Sequence, residues 1–243
     1  MVRSIFHAVS VVALAASSTA SPATPNSDPV EVEQQALMSQ ILDQAMAEMF
    51  KTGEQDPKWN DGGVDPLRAL QAKPGHVLLD VDKDGERTII FYTDKPVAAS
   101  VPDDWELMTE VGRIEGSENS SVPVEISEFD KGHYMVSRTR YERVGDAFCS
   151  SAPIAAQLYK RKGAPADEMG EGALIYMFRE LMERAKTITV CERHEVSDGV
   201  YRSRYFLKDG RSLPFFDGET GAAKLVPQRP TAEMLEGSAA ATN

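Results

Sequence analysis

The stretch TITVCERHEVSDGVYRSRYFLKDGRSLPFF, residues 187–216, decides the fold class. It contains three runs rich in β-branched and aromatic residues, at 187–196, 200–207 and 212–216. The polar segments Ser197–Gly199 and Lys208–Gly210 separate these runs, and short segments that end in glycine are typical of tight turns. The stretch therefore predicts a three-strand antiparallel meander.

Two more pairs of β-rich runs lie upstream of this meander. Each pair flanks a short polar turn that contains aspartate, lysine and glycine, which favours a hairpin over a helical crossover. The paired runs are 77–79 with 88–92, and 122–126 with 134–141. An antiparallel sheet built from hairpins is therefore expected from residue 76 onward.

Helical patterns fall outside these runs. Asp28 and Pro29 provide a favourable helix start, and apolar pairs then recur every fourth residue as far as Phe50, which predicts a long amphipathic helix over about 29–52. A second helix is predicted over 171–186 and a short one over 151–163. We expect an α+β fold: an antiparallel sheet of hairpins and a C-terminal meander, a long N-terminal helix, and one or two helices between strands.

Composition divides the chain into four segments. Residues 1–20 have the features of a signal peptide. Residues 21–75 comprise a flexible lead, the amphipathic helix and a surface connection rich in Gly, Pro and Asp. Residues 76–227 are expected to form a mixed α/β globular domain, and the small polar residues of 228–243 a frayed tail.

The first twenty residues follow the order of charge, apolar run and small residues that the secretion machinery reads. Arg3 supplies the charge, Ile5–Ala16 is almost wholly apolar, and Ser18 and Ala20 suit signal peptidase. The apolar run is too short to cross a hydrocarbon core of ~30 Å as a helix. A buried N-terminal helix is the alternative interpretation. The favoured prediction is export to the periplasm or the extracellular space, with cleavage near Ala20 and no membrane span afterwards.

The chain has two cysteines, Cys149 and Cys191. In an exported protein an even pair is most simply a disulfide. The alternative is a pair of free thiols. In that case Cys149, placed before the short predicted helix, is the candidate nucleophile, with His133 or His194 as its base.

The net charge of −12 is concentrated in the N-terminal half. Residues 21–130 hold 8 basic and 23 acidic residues, whereas residues 131–243 hold 17 and 15. The favoured interpretation is an acidic surface that keeps an exported protein in solution, and the alternative is a cationic partner. Nucleic acid is excluded as an expected partner because no basic surface dominates the chain.

The motif Asp80-Val81-Asp82-Lys83-Asp84-Gly85 resembles the first half of a calcium loop. The twelfth position of such a loop carries a bidentate glutamate, and here it is Phe91. The flanking residues also predict strands instead of helices. A hairpin turn is therefore favoured, with a weak calcium site at Asp80, Asp82 and Asp84 as the alternative.

Two other constellations carry weaker signals. On a strand, the segment Cys191–Glu195 places Glu192 and His194 on one face, which suits cross-strand ion pairs better than a metal site. Arginine and tyrosine also alternate in two runs, which favours an exposed sheet face over an anion-binding surface. These residues are Tyr134, Arg138, Arg140, Tyr141 and Arg143, and then Tyr201, Arg202, Arg204 and Tyr205.

The sequence contains no nucleophile elbow, phosphate-binding glycine loop or dinucleotide motif, so no catalytic residue and no cofactor is predicted. We expect a non-catalytic binding or accessory module of the cell envelope or extracellular space. Its partner is an unidentified protein or envelope component, and the N-terminal helix is a candidate oligomer surface. The alternative is a hydrolase whose site is assembled from dispersed residues.

Overall fold

The computed structural model describes residues 29–56, 62–82, 85–112, 121–130, 132–150, 153, 155–164, 170–217 and 221–236. The predicted signal peptide and its cleavage site lie outside these ranges, as do the last seven residues of the chain.

The described residues form one antiparallel sheet of eleven strands, in the order β3-β8-β5-β4-β2-β1-β11-β10-β9-β7-β6. The predicted class, an α+β fold dominated by antiparallel sheet, is confirmed. The strands are β1 His76–Val81, β2 Arg87–Phe91, β3 Trp105–Val111, β4 Val124–Asp130, β5 His133–Arg138, β6 Tyr141–Val144, β7 Ala147–Ser150, β8 Ala155–Arg161, β9 Val190–Ser197, β10 Val200–Leu207 and β11 Ala222–Pro227.

Helices occupy the chain before, between and after these strands. They are α1 Pro29–Met49, α2 Pro66–Gln71, α3 Glu171–Ala185, α4 Pro214–Asp217 and α5 Thr231–Glu236, with a 3-10 helix at Val97–Ser100. The helix predicted over 171–186 corresponds to α3.

The amphipathic character predicted for the N-terminal helix is not supported. Side chains are described from Gln35 onward, and the buried ones lie toward the C-terminal end: Leu42, Ala45, Met46 and Met49. Leu37 is 51% exposed although it belongs to the same apolar pattern. Two adjacent apolar residues in each turn spread around the helix, so they do not form a single stripe.

Three predicted hairpins are confirmed as the antiparallel pairs β1–β2, β4–β5 and β9–β10. The third strand of the meander was placed wrongly at 212–216, where Pro214–Asp217 forms α4 instead. That strand is β11, which pairs with β1 along its whole length and meets β10 at Tyr201 and Ala223.

The short helix predicted over 151–163 is wrong, because Ala155–Arg161 is strand β8. β8 lies between β3 and β5 and pairs with both. Two ladders of backbone hydrogen bonds decide the conformation against a weak local helical preference.

The sheet must be strongly curled. β5 and β6 are separated by seven strands in the sheet, so a flat sheet would place them roughly 38 Å apart. Only Thr139 and Arg140 link β5 to β6, and such a link spans at most about 10 Å. The β6 edge therefore curls back toward the end of β5, and side chains on one face of the sheet converge.

We call this converging face the inner face, defined by Met135, Leu158, Tyr205 and Tyr141. At one end of the strands it packs against α1, α3 and α4 in the main core, which includes Leu42, Met49, Phe178, Leu181 and Phe216. The opposite, outer face carries a second core, which includes Val77, Ile89, Val136, Trp105 and Met234. Met234 of α5 is fully buried, so residues 231–236 pack on the sheet, contrary to the frayed tail predicted there.

Candidate binding site

The curled edge of the sheet is a tight hairpin. β6 and β7 pair from Tyr141 with Ser150 to Val144 with Ala147, and Gly145 and Asp146 form the turn. The φ angle of Gly145 is +61°, a value that side-chain-bearing residues rarely adopt and that two-residue turns of this kind require at their first position. The local sequence Val-Gly-Asp-Ala thus fixes the register of β6.

The segment 62–65 docks against this hairpin. The Gly62 amide donates to Oδ2 of Asp146 over 2.9 Å, and the Val64 amide donates to the His194 carbonyl over 2.9 Å. A Cβ atom on Gly63 would lie 2.6 Å from the Asp146 carbonyl oxygen, so only glycine permits this approach. Asp65 then caps α2 by accepting from the Arg68 amide over 2.7 Å.

A cleft of about 620 Å³ lies between α2, the β6–β7 hairpin and the ends of β2, β4 and β5. This volume is in the range that small-ligand sites occupy. The lining residues are Asp65, Leu67, Arg68, Gln71, Tyr92, Ser121, Val122, Pro123, Thr139, Arg140, Tyr141, Arg143 and Phe148.

The cleft is cationic in a chain of net charge −12, since three arginines and one aspartate line it. Arg143 is positioned by its surroundings: its Nε donates to the Gly145 carbonyl, and its guanidinium lies 3.8 Å from Asp65 and 3.5 Å from Asp146. Within the described residues, no hydrogen bond or ion pair engages the guanidinium of Arg68 or Arg140, and both side chains are exposed. Two charges are therefore available to a ligand.

Hydroxyl groups line the same cleft. Burial, together with the charge of Asp65, raises the pKa of Tyr92 to about 12. Burial also raises the pKa of Tyr141 well above 10, and Glu125 and Glu192 raise it further. Both phenols are thus protonated donors at neutral pH. Oγ1 of Thr139 is buried and has no hydrogen-bond partner among the described residues, although it lines the cleft.

Acidic groups lie deeper on the inner face. Glu125 is 3% exposed, and its Oε1 has no hydrogen-bond partner within the described ranges. Burial raises the pKa of Glu192, and burial followed by the charges of Glu192 and Asp80 raises the pKa of Tyr205. Inward-facing side chains from β4, β9 and β10 thus share one environment beneath Tyr141, as the curl requires.

His194 joins a second polar cluster on the inner face. Its Nδ1 lies 2.9 Å from Oγ of Ser203, directly across the β9–β10 ladder, and its Nε2 lies 3.6 Å from Oε2 of Glu192. Burial lowers the pKa of His194 to about 4, so the imidazole is neutral at pH 7. The Phe148 ring, which lines the cleft, is centred 6.2 Å from the imidazole.

The two cysteines face each other across β7 and β9, with their sulfur atoms 2.04 Å apart, at disulfide distance. Both side chains are buried on the outer face beside Phe206. Ser150 ends β7, and among the described residues that follow, Ala155–Arg161 is strand β8 instead of the predicted helix, so the proposed activation of the Cys149 thiol by that helix is not supported. His133 lies on β5 and is fully buried.

Two of the candidate calcium residues, Asp80 and Asp82, belong to the β1–β2 hairpin. Asp80 pairs with Thr88 across the two strands, and the Asp82 carboxylate accepts from the Glu86 amide over 2.9 Å. Asp84 lies outside the described residues. In the part of the chain that the structure describes, no group of three or more His, Cys, Asp or Glu side chains could hold a metal ion.

The structure separates the alternating arginines and tyrosines, for which an exposed sheet face is the favoured prediction and an anion-binding surface the alternative. Arg140, Tyr141 and Arg143 line the cleft, whereas Tyr134 stacks on Trp105 on the outer face. Arg138 is buried and donates to the Val122 and Thr93 carbonyls. The run predicted as one strand, 134–141, is interrupted after Arg138, which brings Arg140 and Tyr141 together in the cleft.

Sequence reasoning missed the contribution of α2. Asp65, Arg68 and Tyr92 reach the cleft from segments that are distant from β6 in the sequence. The capping signal Asp65-Pro66 was a local indication of α2, but no local pattern indicates which strand edge that helix faces.

Comparisons with protein-family models, with curated proteins and with solved structures find no match for this chain. None of the helices within the described ranges is long and apolar enough to cross a membrane.

Proposed function

We propose that this protein is a non-catalytic binding module that acts outside the cytoplasm and holds an anionic ligand in the cleft between α2 and β6. The observation that carries the proposal is the presence of two uncompensated arginines, Arg68 and Arg140, beside protonated tyrosines in one concave site. Arginine and phenol groups together donate charge-assisted hydrogen bonds to carboxylate or phosphate.

The site favours binding over catalysis. The described residues that line the cleft include arginine, tyrosine, threonine and serine, but no histidine, cysteine or lysine. Asp65, the acidic group among them, already caps α2 and lies near Arg143. The lining groups can therefore orient and neutralise an anion, and they do not include a paired nucleophile and base.

The proposed location is supported by the signal-peptide pattern predicted from residues 1–20 and by the cysteine pair at disulfide distance. Mass spectrometry of the protein purified from its native host tests this part of the proposal. A mature N-terminus near Ser21 is expected, and a chain that retains residues 1–20 would contradict export.

Nuclear magnetic resonance titration with inorganic phosphate and with citrate tests the binding proposal. We expect saturable chemical-shift changes in residues of the cleft. Binding to Arg68→Ala/Arg140→Ala should be at least about tenfold weaker, because each lost hydrogen bond from a charged guanidinium removes about 1.5–3 kcal/mol of binding free energy. The matched control is Arg202→Ala/Arg229→Ala, which removes two exposed arginines outside the cleft. Equal weakening by the two double variants, or no saturable shift, would reject the proposal.

A hydrolase is the second candidate, and the Ser203–His194–Glu192 cluster is the observation that favours it. Neutral His194 can accept the Ser203 proton at Nδ1 as Oγ attacks an acyl carbon, and the imidazolium then returns that proton to the leaving group as its bond to the acyl carbon breaks. Water hydrolyses the resulting acyl-enzyme, which releases the acid and restores Ser203. A fluorophosphonate probe tests this candidate: covalent labelling of Ser203 that His194→Gln abolishes would support hydrolysis. Absence of labelling would reject the hydrolase candidate.

A further inference from the structure

We infer that the anionic ligand is an extended acidic peptide that adds as a further strand to the free edge of β6. This inference rests on the proposed binding function and specifies its ligand class.

The outer edge of β6 carries backbone amide and carbonyl groups that point away from β7. A two-residue turn closes on a hydrogen-bonded pair, here Val144 with Ala147, and such pairs alternate along antiparallel strands. Glu142 with Cys149 is then the next hydrogen-bonded pair. The amides and carbonyls of Tyr141 and Arg143 consequently point away from β7. β6 ends the described sheet, and no described strand pairs with this outer edge.

The same two residues supply the side chains of the cleft. Tyr141 and Arg143 line it, whereas Glu142 points the other way and lies 3.4 Å from Lys208. Val144 packs on the outer face against the buried cysteine pair. The free edge and the cationic cleft therefore coincide, so a peptide placed in the cleft lies beside unpaired backbone donors and acceptors. Strand addition to a sheet edge uses such groups for affinity and alternate side chains for specificity.

The arginines of the cleft favour a peptide with acidic side chains. A strand added to β6 places every second side chain on the inner face, opposite Tyr141 and Arg143 and near Arg140 and Arg68. Acidic residues at alternate positions match these arginines. Leu67, Val122 and Phe148 provide the apolar part of the lining. β6 is four residues long, so the paired part of the peptide is about as long.

Fluorescence anisotropy tests the inference by titrating the full-length protein into labelled peptides of opposite charge. The probe is acetyl-TEVEVET, and acetyl-TKVKVKT is its charge-reversed control. We expect the acidic peptide to bind and the basic one not to bind, with at least about tenfold loss in Arg68→Ala/Arg140→Ala.

N-methylation separates strand addition from simple charge attraction. In an added strand, every second backbone amide of acetyl-TEVEVET faces β6. Methylation of these amides should abolish binding. Methylation of the remaining amides, which face away from β6, should leave most of the binding intact. Hydrogen exchange gives an independent readout, because the bound peptide should protect the Tyr141 and Arg143 amides and inorganic phosphate should not.

The outcomes distinguish the two proposals. If phosphate and citrate bind while the acidic peptide does not, or if the two N-methylated peptides bind equally, strand addition is wrong and the anion site stands. If heparin binds and the peptide does not, an acidic polysaccharide replaces the peptide as ligand. If no anion binds, both proposals fail together.

Discussion

At the scale of single residues, burial changes the protonation of the inner face. His194 lies among apolar and polar groups where its charged form is disfavoured, and burial lowers its pKa to about 4. The neighbouring carboxyl of Glu192 responds in the opposite direction, since burial raises its pKa. Both shifts favour neutral forms, so the pair need not be an ion pair at neutral pH although the side chains lie 3.6 Å apart.

The His194 shift predicts a specific pH dependence of stability. Its folded pKa of about 4 lies below the unfolded value of 6.5, so the unfolded chain takes up a proton first as the pH falls. As the pH falls from 6.5 to 4, the free energy of unfolding should therefore decrease by up to about 3 kcal/mol because of this group. Urea denaturation of the protein and of His194→Gln across this range measures the difference.

Glu192→Gln serves as the control for the neighbouring carboxyl. The raised pKa of Glu192 contributes stability below pH 4.5 that is lost as the pH rises, which is the reverse of the His194 effect. In the Glu192→Gln background, His194→Gln should still reduce the loss of unfolding free energy as the pH falls below 6.5. An unchanged slope in both backgrounds would show that His194 is accessible to protons in the folded state.

At the scale of elements, the β6–β7 hairpin depends on few attachments. β7 pairs with β9 over four residues, and the cysteine pair lies within that short ladder. The turn is held to segment 62–65 through Asp146 and Gly62. Because this hairpin forms one wall of the cleft, its anchoring determines the position of Tyr141 and Arg143.

We expect Cys149→Ala/Cys191→Ala to lower the free energy of unfolding by about 2–4 kcal/mol, because a bond across this sequence separation restricts the unfolded chain. Amide exchange should also accelerate more in β6 and β7 than in β1 and β2. Reductant should destabilise the natural protein and leave the double variant unchanged. Two alkyl groups added to the folded protein without reductant would contradict the bond itself.

At the scale of the whole molecule, the curl of the sheet creates the cleft. The two-residue link between β5 and β6 brings the edge of an eleven-stranded sheet back to its middle strands. The helices α1, α3 and α4 fill one end of the inner face, Leu70 of α2 packs with Leu78 and Ala223, and polar and apolar groups line the cleft beside α2. The cleft is thus a consequence of topology, to which side chains from many segments contribute.

A longer link should relax this curl. Inserting Gly-Gly between Thr139 and Arg140 should weaken phosphate binding at least about tenfold while far-ultraviolet circular dichroism stays unchanged, because each added residue allows about 3.5 Å more separation. The control is the same insertion in the turn between Ser197 and Val200, on the exposed side of β9–β10. Equal loss of binding in both insertions would show that the link does not set the cleft.

Several features follow from local sequence. Alternating β-rich runs around glycine turns are sufficient to predict β1–β2, β4–β5 and β9–β10, because strand period and turn chemistry act over a few residues. The apolar face of α3 is likewise a local pattern. The cysteine pairing was predicted from compartment and count, and the structure places the two sulfur atoms accordingly.

Other features are decided only by tertiary structure. The segment 155–161 becomes a strand because two neighbouring strands pair with it, and the segment at 214–217 becomes a helix while β11 occupies the sheet. The interruption between Arg138 and Tyr141 follows from the curl and brings Arg140 and Arg143 to Arg68 and Tyr92. The class of fold, the hairpins and the cysteine pair thus follow from local sequence patterns. The order of the strands and the cleft were decided by contacts between residues far apart in the chain, which no local periodicity encodes.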